Sequence, residues 1–282
     1  MGVVWGIPYL LIKVAVGDLA PPTLVFMRTL IGGTILLPLA VMRGDLAAVR
    51  VHWRTVLVYT AVEVAGPWLL LSHAEQRLSS SLTGLLVAAV PLVGAVLAWR
   101  TGSGGLDRRL VSGLFIGLVG VALLVGFDVS ARDLPAVCEV VLAAVGYAVG
   151  PWIIARRLVD VPAMGVVAVS LALTAVVYAP AGILLGPRHV PSTAVILSVG
   201  VLGAVCTALA FVAFFALIAE IGPVRATVIT YVNPAVALLL GILVLGESLS
   251  VGAIAGFALI LAGSALTVRH PRQPSVALVG EP

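Results

Sequence analysis

Charge is what this sequence has least of. Only 10% of its 282 residues are Asp, Glu, Lys or Arg, where a soluble domain carries about 25%. That excludes a water-soluble enzyme, a disordered chain and a nucleic-acid module. Cysteine is nearly absent too: Cys138 and Cys206 are the only two, and both lie in apolar runs. They offer no disulfide framework or thiolate metal site. No CxxC, HExxH or Walker-type glycine loop occurs, so no cofactor or metal is expected. Lysine occurs once, as Lys13, against fifteen arginines. The net charge of +4 therefore rests on Arg residues, most of them in short loops between apolar runs. Such residues set topology; they do not grip nucleic acid.

What is there is hydrocarbon: 61% of residues are hydrophobic, and the mean hydropathy is +1.22. Ten apolar segments stand between charged or Pro/Gly-rich breaks, at 2–17, 21–42, 53–73, 79–99, 109–127, 134–155, 162–185, 192–218, 223–245 and 251–268. Most match the roughly 20 residues a helix needs to cross a bilayer core. Runs such as LLVAAVPLVGAVLAW (85–99) do not alternate, so helix is expected and a barrel is not. The fold class is an all-α, polytopic membrane protein. The first run, Val3 to Val16, lacks a basic lead and contains Lys13, unlike a signal peptide.

With the N-terminus inside, the inner loops and tail hold eleven arginines, from Arg43 to Arg272. The outer loops hold three: Arg77, Arg132 and Arg188. This bias predicts a multi-pass protein of the cell (inner) membrane with both termini cytoplasmic. The tail 269–282 is polar and Pro-rich and is expected to be a flexible cytoplasmic extension.

The chain also repeats itself. At an offset of 143 residues Pro8 meets Pro151, Lys13 meets Arg156, and Pro91 meets Pro234. GLFIGLVGVALLV (113–125) lies over GFALILAGSALTV (256–268) with six identities in thirteen. We read two five-helix units, 1–127 and 134–268. Five is odd, so the second unit enters the membrane in the opposite sense. Inverted repeats can rock about a shared central site, which points to transport. The counterpart of segment six would begin about nine residues before Met1. This predicts a first helix truncated at its N-terminus and a translation start upstream of Met1.

WGIPYLLIKVAV (5–16), APP (20–22) and Arg28 resemble the opening of the EamA-type drug/metabolite transporter family. AEIGPVRATVITYVNPAVALLLGILVLGESLSVGAIAGFALILAGSAL (219–266), with Pro234, LGE at 245–247, Gly256 and Gly263, resembles its last two helices. The resemblance implies a ten-helix bundle of two inverted EamA repeats. It also implies secondary transport, commonly export, of small metabolites such as amino acids. Where the family often carries a first-repeat glutamate matching Glu247, this chain has Gly104.

Ionisable groups within a bilayer are costly and usually face a cavity or a partner. Glu63, in TAVEVAGPW, is the deepest acid. It is read either as a proton-binding, coupling acid or as a neutral pin between helices. Glu139 and Arg28 lie at similar depth from the outer side; they are candidate substrate-binding or coupling residues, or alternatively partners in a structural salt bridge. Lys13 is expected to snorkel to the interface. Pro8, Pro91, Pro151 and Pro234 are candidate helix breaks with a gating role. Tyr9, Trp68, Trp152, Tyr231 and Asn233 are candidate cavity residues, while Trp53 and Trp99 fit an interfacial belt. Glu247 is expected to cap the last helix. Glycines at 113, 117, 120, 252, 256 and 263 make close-packing faces, within one chain or across a homodimer.

The partners expected are a small-molecule substrate, membrane lipid and protons as a coupling ion, with no nucleic acid. The first alternative is a non-transporting scaffold or sensor subunit with a transporter-like fold. An intramembrane enzyme would need a clustered nucleophile, acid/base or metal set, and the sequence displays none.

Overall fold

The architecture comes from a computed structural model describing residues 1–102, 107–221, 229–248 and 250–268; the side chains at 127–128, 221, 229–231 and 268 lie outside that description. Gly104, Leu106, Arg225, the Tyr231 side chain and the tail from 269 are therefore outside the described residues.

Ten apolar helical segments run through the described residues: α1 (Gly2–Ala15), α2 (Pro21–Met42), α3 (Trp53–Ala74), α4 (Ser80–Arg100), α5 (Arg108–Asp128), α6 (Leu134–Arg157), α7 (Ala163–Leu184), α8 (Thr193–Glu220), α9 (Ile229–Leu245) and α10 (Val251–Val268). Seven are long and apolar enough to cross a membrane by themselves, and three are shorter. A bilayer offers no water to main-chain amides, so each segment closes its own hydrogen bonds as a helix. The ends are set locally. Pro21 occupies the first turn of α2, where its missing N–H costs nothing. Asp107 caps α5 through Leu110 N–H at 2.7 Å, and Ser250 caps α10 through Ala253 N–H at 3.0 Å. These two caps stand one repeat apart. Ser250, not Glu247, therefore caps the last helix.

The helices pair as the repeat demands. α2 lies along α7, and α5 along α10. In the second pair Gly120 backs onto the Gly256 carbonyl and Gly113 onto the Gly263 carbonyl. At Gly113, Gly120, Gly256 and Gly263 the small-residue faces are thus used for contact within one chain. α1 packs on α9 and on the first part of α8, Thr193–Gly203; α6 packs on the last part of α3, Gly66–Ala74.

Helix ends after α1, α3, α5, α7 and α9 gather on one face, opposite the N-terminus, which we call the distal face. Polar contacts tie it together. Asp18 accepts the Ser192 N–H at 3.3 Å, and Arg77 reaches the Arg132 carbonyl at 3.4 Å. On the same face Lys13 of α1 bonds the end of α3, and Glu247, beyond α9, bonds the start of α4.

The main interruptions of the long helices are not where the prolines predict. α1, α6 and α9 run straight through Pro8, Pro151 and Pro234; only Pro91 sits beside a break, between Ser80–Val87 and Val90–Arg100. A proline deletes one hydrogen bond, and a well-packed helix tolerates that in a membrane. Instead α3 and α8 each contain a π-helical turn, Thr60–Ala65 and Ala204–Leu209. The two occupy equivalent places in the two repeats. Such turns accommodate an extra residue, and they concentrate at functional sites.

Candidate substrate site

Each π-turn presents a threonine toward the second helix of the other repeat. Thr60 bonds the Val56 carbonyl (2.7 Å) and lies 2.8 Å from the Ser170 hydroxyl on α7. The Thr207 hydroxyl donates to the Leu202 carbonyl, five residues back, at 2.7 Å. Its free lone pairs accept the Arg28 Nε–H at 3.0 Å. The same scaffold thus carries a neutral hydroxyl pair on one side and a cation on the other.

Arg28 is buried on α2, with 8% of its surface exposed. Its guanidinium carbon lies 3.6 Å from the centre of the Trp68 ring. An arginine stacked on an aromatic face away from water gains about 2 kcal/mol or more. The Trp68 indole engages the Tyr147 hydroxyl on α6. Tyr147, Tyr9, Cys206 and Glu75 all stand near enough to feel the charge of Arg28. Arg28 on α2 thus touches α3 of its own repeat and α8 of the other, with Tyr9 of α1 and Tyr147 of α6 within electrostatic range. Its planar fork matches a carboxylate or phosphate, and the aromatic side chains supply faces for an organic group.

Several expectations are revised. Glu139 does not reach Arg28; its oxygens lie 2.8 and 2.9 Å from His73 Nδ1 on the distal surface. Arg28 stacks on Trp68, whereas Glu139 meets His73, five residues and more than one turn farther along α3. Lys13 does not snorkel. Its ammonium turns inward and donates to the Glu75 and Leu78 carbonyls, each at 2.7 Å, at the C-terminal end of α3. Cations are favoured at such ends. Glu247 caps α4: its two oxygens accept the Ser80 and Ser81 N–H groups at 2.8 and 2.9 Å. Gly246 makes this possible. Its φ of 66° ends α9 and swings Glu247 back across the helix end.

Glu63 lies in the first π-turn. Its Oε2 is buried without a partner among the described residues, where a Cβ on Gly150 of α6 would clash with it. Trp152 is half-buried, and its indole nitrogen is likewise buried and unpartnered among the described residues. Asn233 is half-buried on α9, and its carbonyl packs over Gly6. Tyr9 and Trp68 reach the Arg28 site; Glu139 and Trp152 stand outside this group. Sequence reasoning missed Thr207, Tyr147, Cys206 and Glu75. Glu75 alone carried a signal, being an acid at the edge of an apolar run.

An apolar groove of about 540 Å³ between α2 and α7 is lined by Phe26, Leu30, Leu37 and Val176 among others. It offers hydrocarbon only, and none of the Arg28 cluster lines it.

The model of the EamA-like transporter family matches residues 1–126 and again 134–269. The chain belongs to that family. It is thus a multi-pass membrane transporter built of two EamA repeats, and not an enzyme. It is 29% identical over 253 residues to the uncharacterized inner membrane transporter YedA of Escherichia coli strain K12, covering 88% of this chain and 81% of that one. The YedA protein of Escherichia coli O157:H7 matches to the same extent. A solved crystal structure superposes on 94% of this chain and 93% of its own, with a TM-score of 0.69 and 25% identity.

Proposed function

We propose that this transporter moves small organic metabolites, amino-acid-like zwitterions foremost, across the cytoplasmic membrane by alternating access, in the export direction. The observation that carries the reading is the buried Arg28 guanidinium, stacked on Trp68 and held by Thr207 where the two repeats meet. A carboxylate docks on the guanidinium, and Tyr9, Tyr147 and Trp68 enclose the rest. The equivalent π-turns of α3 and α8 are the places where the helices rewind as the repeats rock. Export follows from the family resemblance.

Glu63 acts as the gating or coupling acid in this reading, because it stands between the π-turn of α3 and Gly150 of α6. The test is counterflow in proteoliposomes with a pooled amino-acid set, at two pH gradients. Saturable exchange is expected, and Glu63→Gln is expected to change both the flux and its response to the gradient. No exchange with any pool member would favour the scaffold alternative. Flux in Glu63→Gln equal to wild type at both gradients would remove Glu63.

The membrane orientation is proposed with both termini cytoplasmic, on the strength of the arginine distribution. Cysteines placed beside Arg132 and Arg188 in a Cys138→Ser background should react with an impermeant thiol reagent applied to intact cells. Labelling only after lysis would invert the topology.

A further inference from the structure

Glu75 ends α3 just past the membrane span and is fully buried. Neither carboxyl oxygen has a hydrogen-bond partner among the described residues. Its chain neighbours Leu71, Ala74 and Leu78 belong to one buried apolar cluster. Charged or titratable groups face it from four directions: Lys13 and Tyr9 on α1, Arg28 on α2, Tyr147 on α6, and Glu247 beyond α9. Lys13 is the nearest source of compensation, but two of its donors are spent on the Glu75 and Leu78 main-chain carbonyls. Glu247 brings a second negative charge, already committed to Ser80 and Ser81.

An ionised carboxylate without donors in such a place is far costlier than a neutral acid. Burial accordingly lifts the Glu75 carboxyl well above the usual carboxylate range; Lys13 opposes this, Glu247 adds to it, and Arg28 opposes it. Glu75 is buried where helix ends are tied together on the distal face. Lys13 on α1 grips the end of α3, while Glu247 after α9 grips the start of α4. Opening that face parts these helices and lets water reach the carboxyl.

We propose that Glu75 is a proton-binding site of the distal gate: it takes a proton from distal water as the face closes and returns it there as the face opens. The inference rests on the alternating-access reading above and adds a ligand to it. No bond other than O–H forms or breaks. The sign follows from linkage. The closed state holds the proton and has the raised value, so closure is favoured at low pH and lost as pH rises through that value.

The experiment needs no transported substrate, so its failure is distinct from a failure of the transport assay. Ser80 is fully buried beneath the closure, and its hydroxyl is unpartnered among the described residues. Ser80→Cys in a Cys138→Ser, Cys206→Ser background therefore reports opening, with Arg132→Cys in the same background, an exposed position outside the spans, as the reference for thiol reactivity. An impermeant maleimide is applied to intact cells between about pH 6 and about pH 8.5. The labelling ratio of the Ser80→Cys site to the Arg132→Cys reference is expected to rise about tenfold with pH, the change one proton can drive per unit. Glu75→Gln, a fixed neutral mimic, should hold the ratio low and flat. His73→Gln should leave the wild-type profile in place, which separates Glu75 from the nearby surface pair with Glu139. A flat wild-type profile, or a Glu75→Gln profile that still follows wild type, overturns the proposal. Should Glu75→Gln fail to fold, Glu75→Asp decides: a displaced midpoint supports the site and an unmoved one overturns it.

Discussion

Arg28→Met is expected to abolish saturable flux while the protein still folds. The two halves of that expectation have separate physical reasons. Methionine has similar length and no charge, so it removes an ion from a buried position and leaves the volume filled. Replacing a buried ion by an apolar residue is often neutral or stabilising. Thr207 keeps its bond to the Leu202 carbonyl, so its hydroxyl is not orphaned. Transport is different, because truncating one partner of a desolvated charge pair costs about 2–5 kcal/mol of binding. At about 1.4 kcal/mol per tenfold, that is a loss of roughly 30- to several-thousand-fold in apparent affinity.

Arg28→Lys separates charge from shape. It keeps the cation but gives up the flat stack on Trp68 and the Nε donor to Thr207. An intermediate loss, on the order of tenfold, is expected. Counterflow measures both variants, with detergent size-exclusion profiles as the folding check. Wild-type exchange in Arg28→Met would remove the guanidinium from the substrate path and with it the proposed site.

The bilayer is why so much of the fold was legible. Crossing it requires a continuous apolar stretch of set length, so composition alone places the ends of α2 and α10 at 21–42 and 251–268, as found. The repeat was legible because Gly113, Gly120, Gly256 and Gly263 sit where backbones touch. The site was less so. A π-turn adds one residue to a helix without altering hydropathy, so nothing in TAVEVA or AVCTAL marks it. Depth counted from the end of each apolar run is likewise too coarse to fix neighbours: Arg28 and Glu139 count alike, yet meet α3 at Trp68 and His73, more than a turn apart. Glu247 illustrates a third limit. Its sequence neighbours Ser248 and Ser250 suggest a local cap, yet its partners Ser80 and Ser81 are 167 and 166 residues away.

The second large effect is steric. A Cβ on Gly120 would lie 2.6 Å from the Gly256 carbonyl oxygen and 2.8 Å from the Ile260 nitrogen. Both obstacles are backbone, so no rotamer change relieves them and α10 must move as a body. In lipid the pairing of α5 and α10 has no hydrophobic drive of its own. It depends on close van der Waals contact between small residues. Gly120→Leu should therefore cost about 2–4 kcal/mol, at the upper end of overpacking effects. Gly126 lies on the same helix, and nothing stands within 4 Å of a Cβ built there. Gly126→Leu should change stability by no more than about 0.5 kcal/mol, as for an unconstrained surface position. The contrast cancels helix propensity and hydropathy, since both variants put leucine for glycine in α5. Thermal unfolding in detergent reads it: a clear fall in Tm for Gly120→Leu against little change for Gly126→Leu. Equal Tm values would mean that the two repeats do not meet along the glycines. A change in oligomeric state with unchanged Tm would instead assign that face to contact between chains.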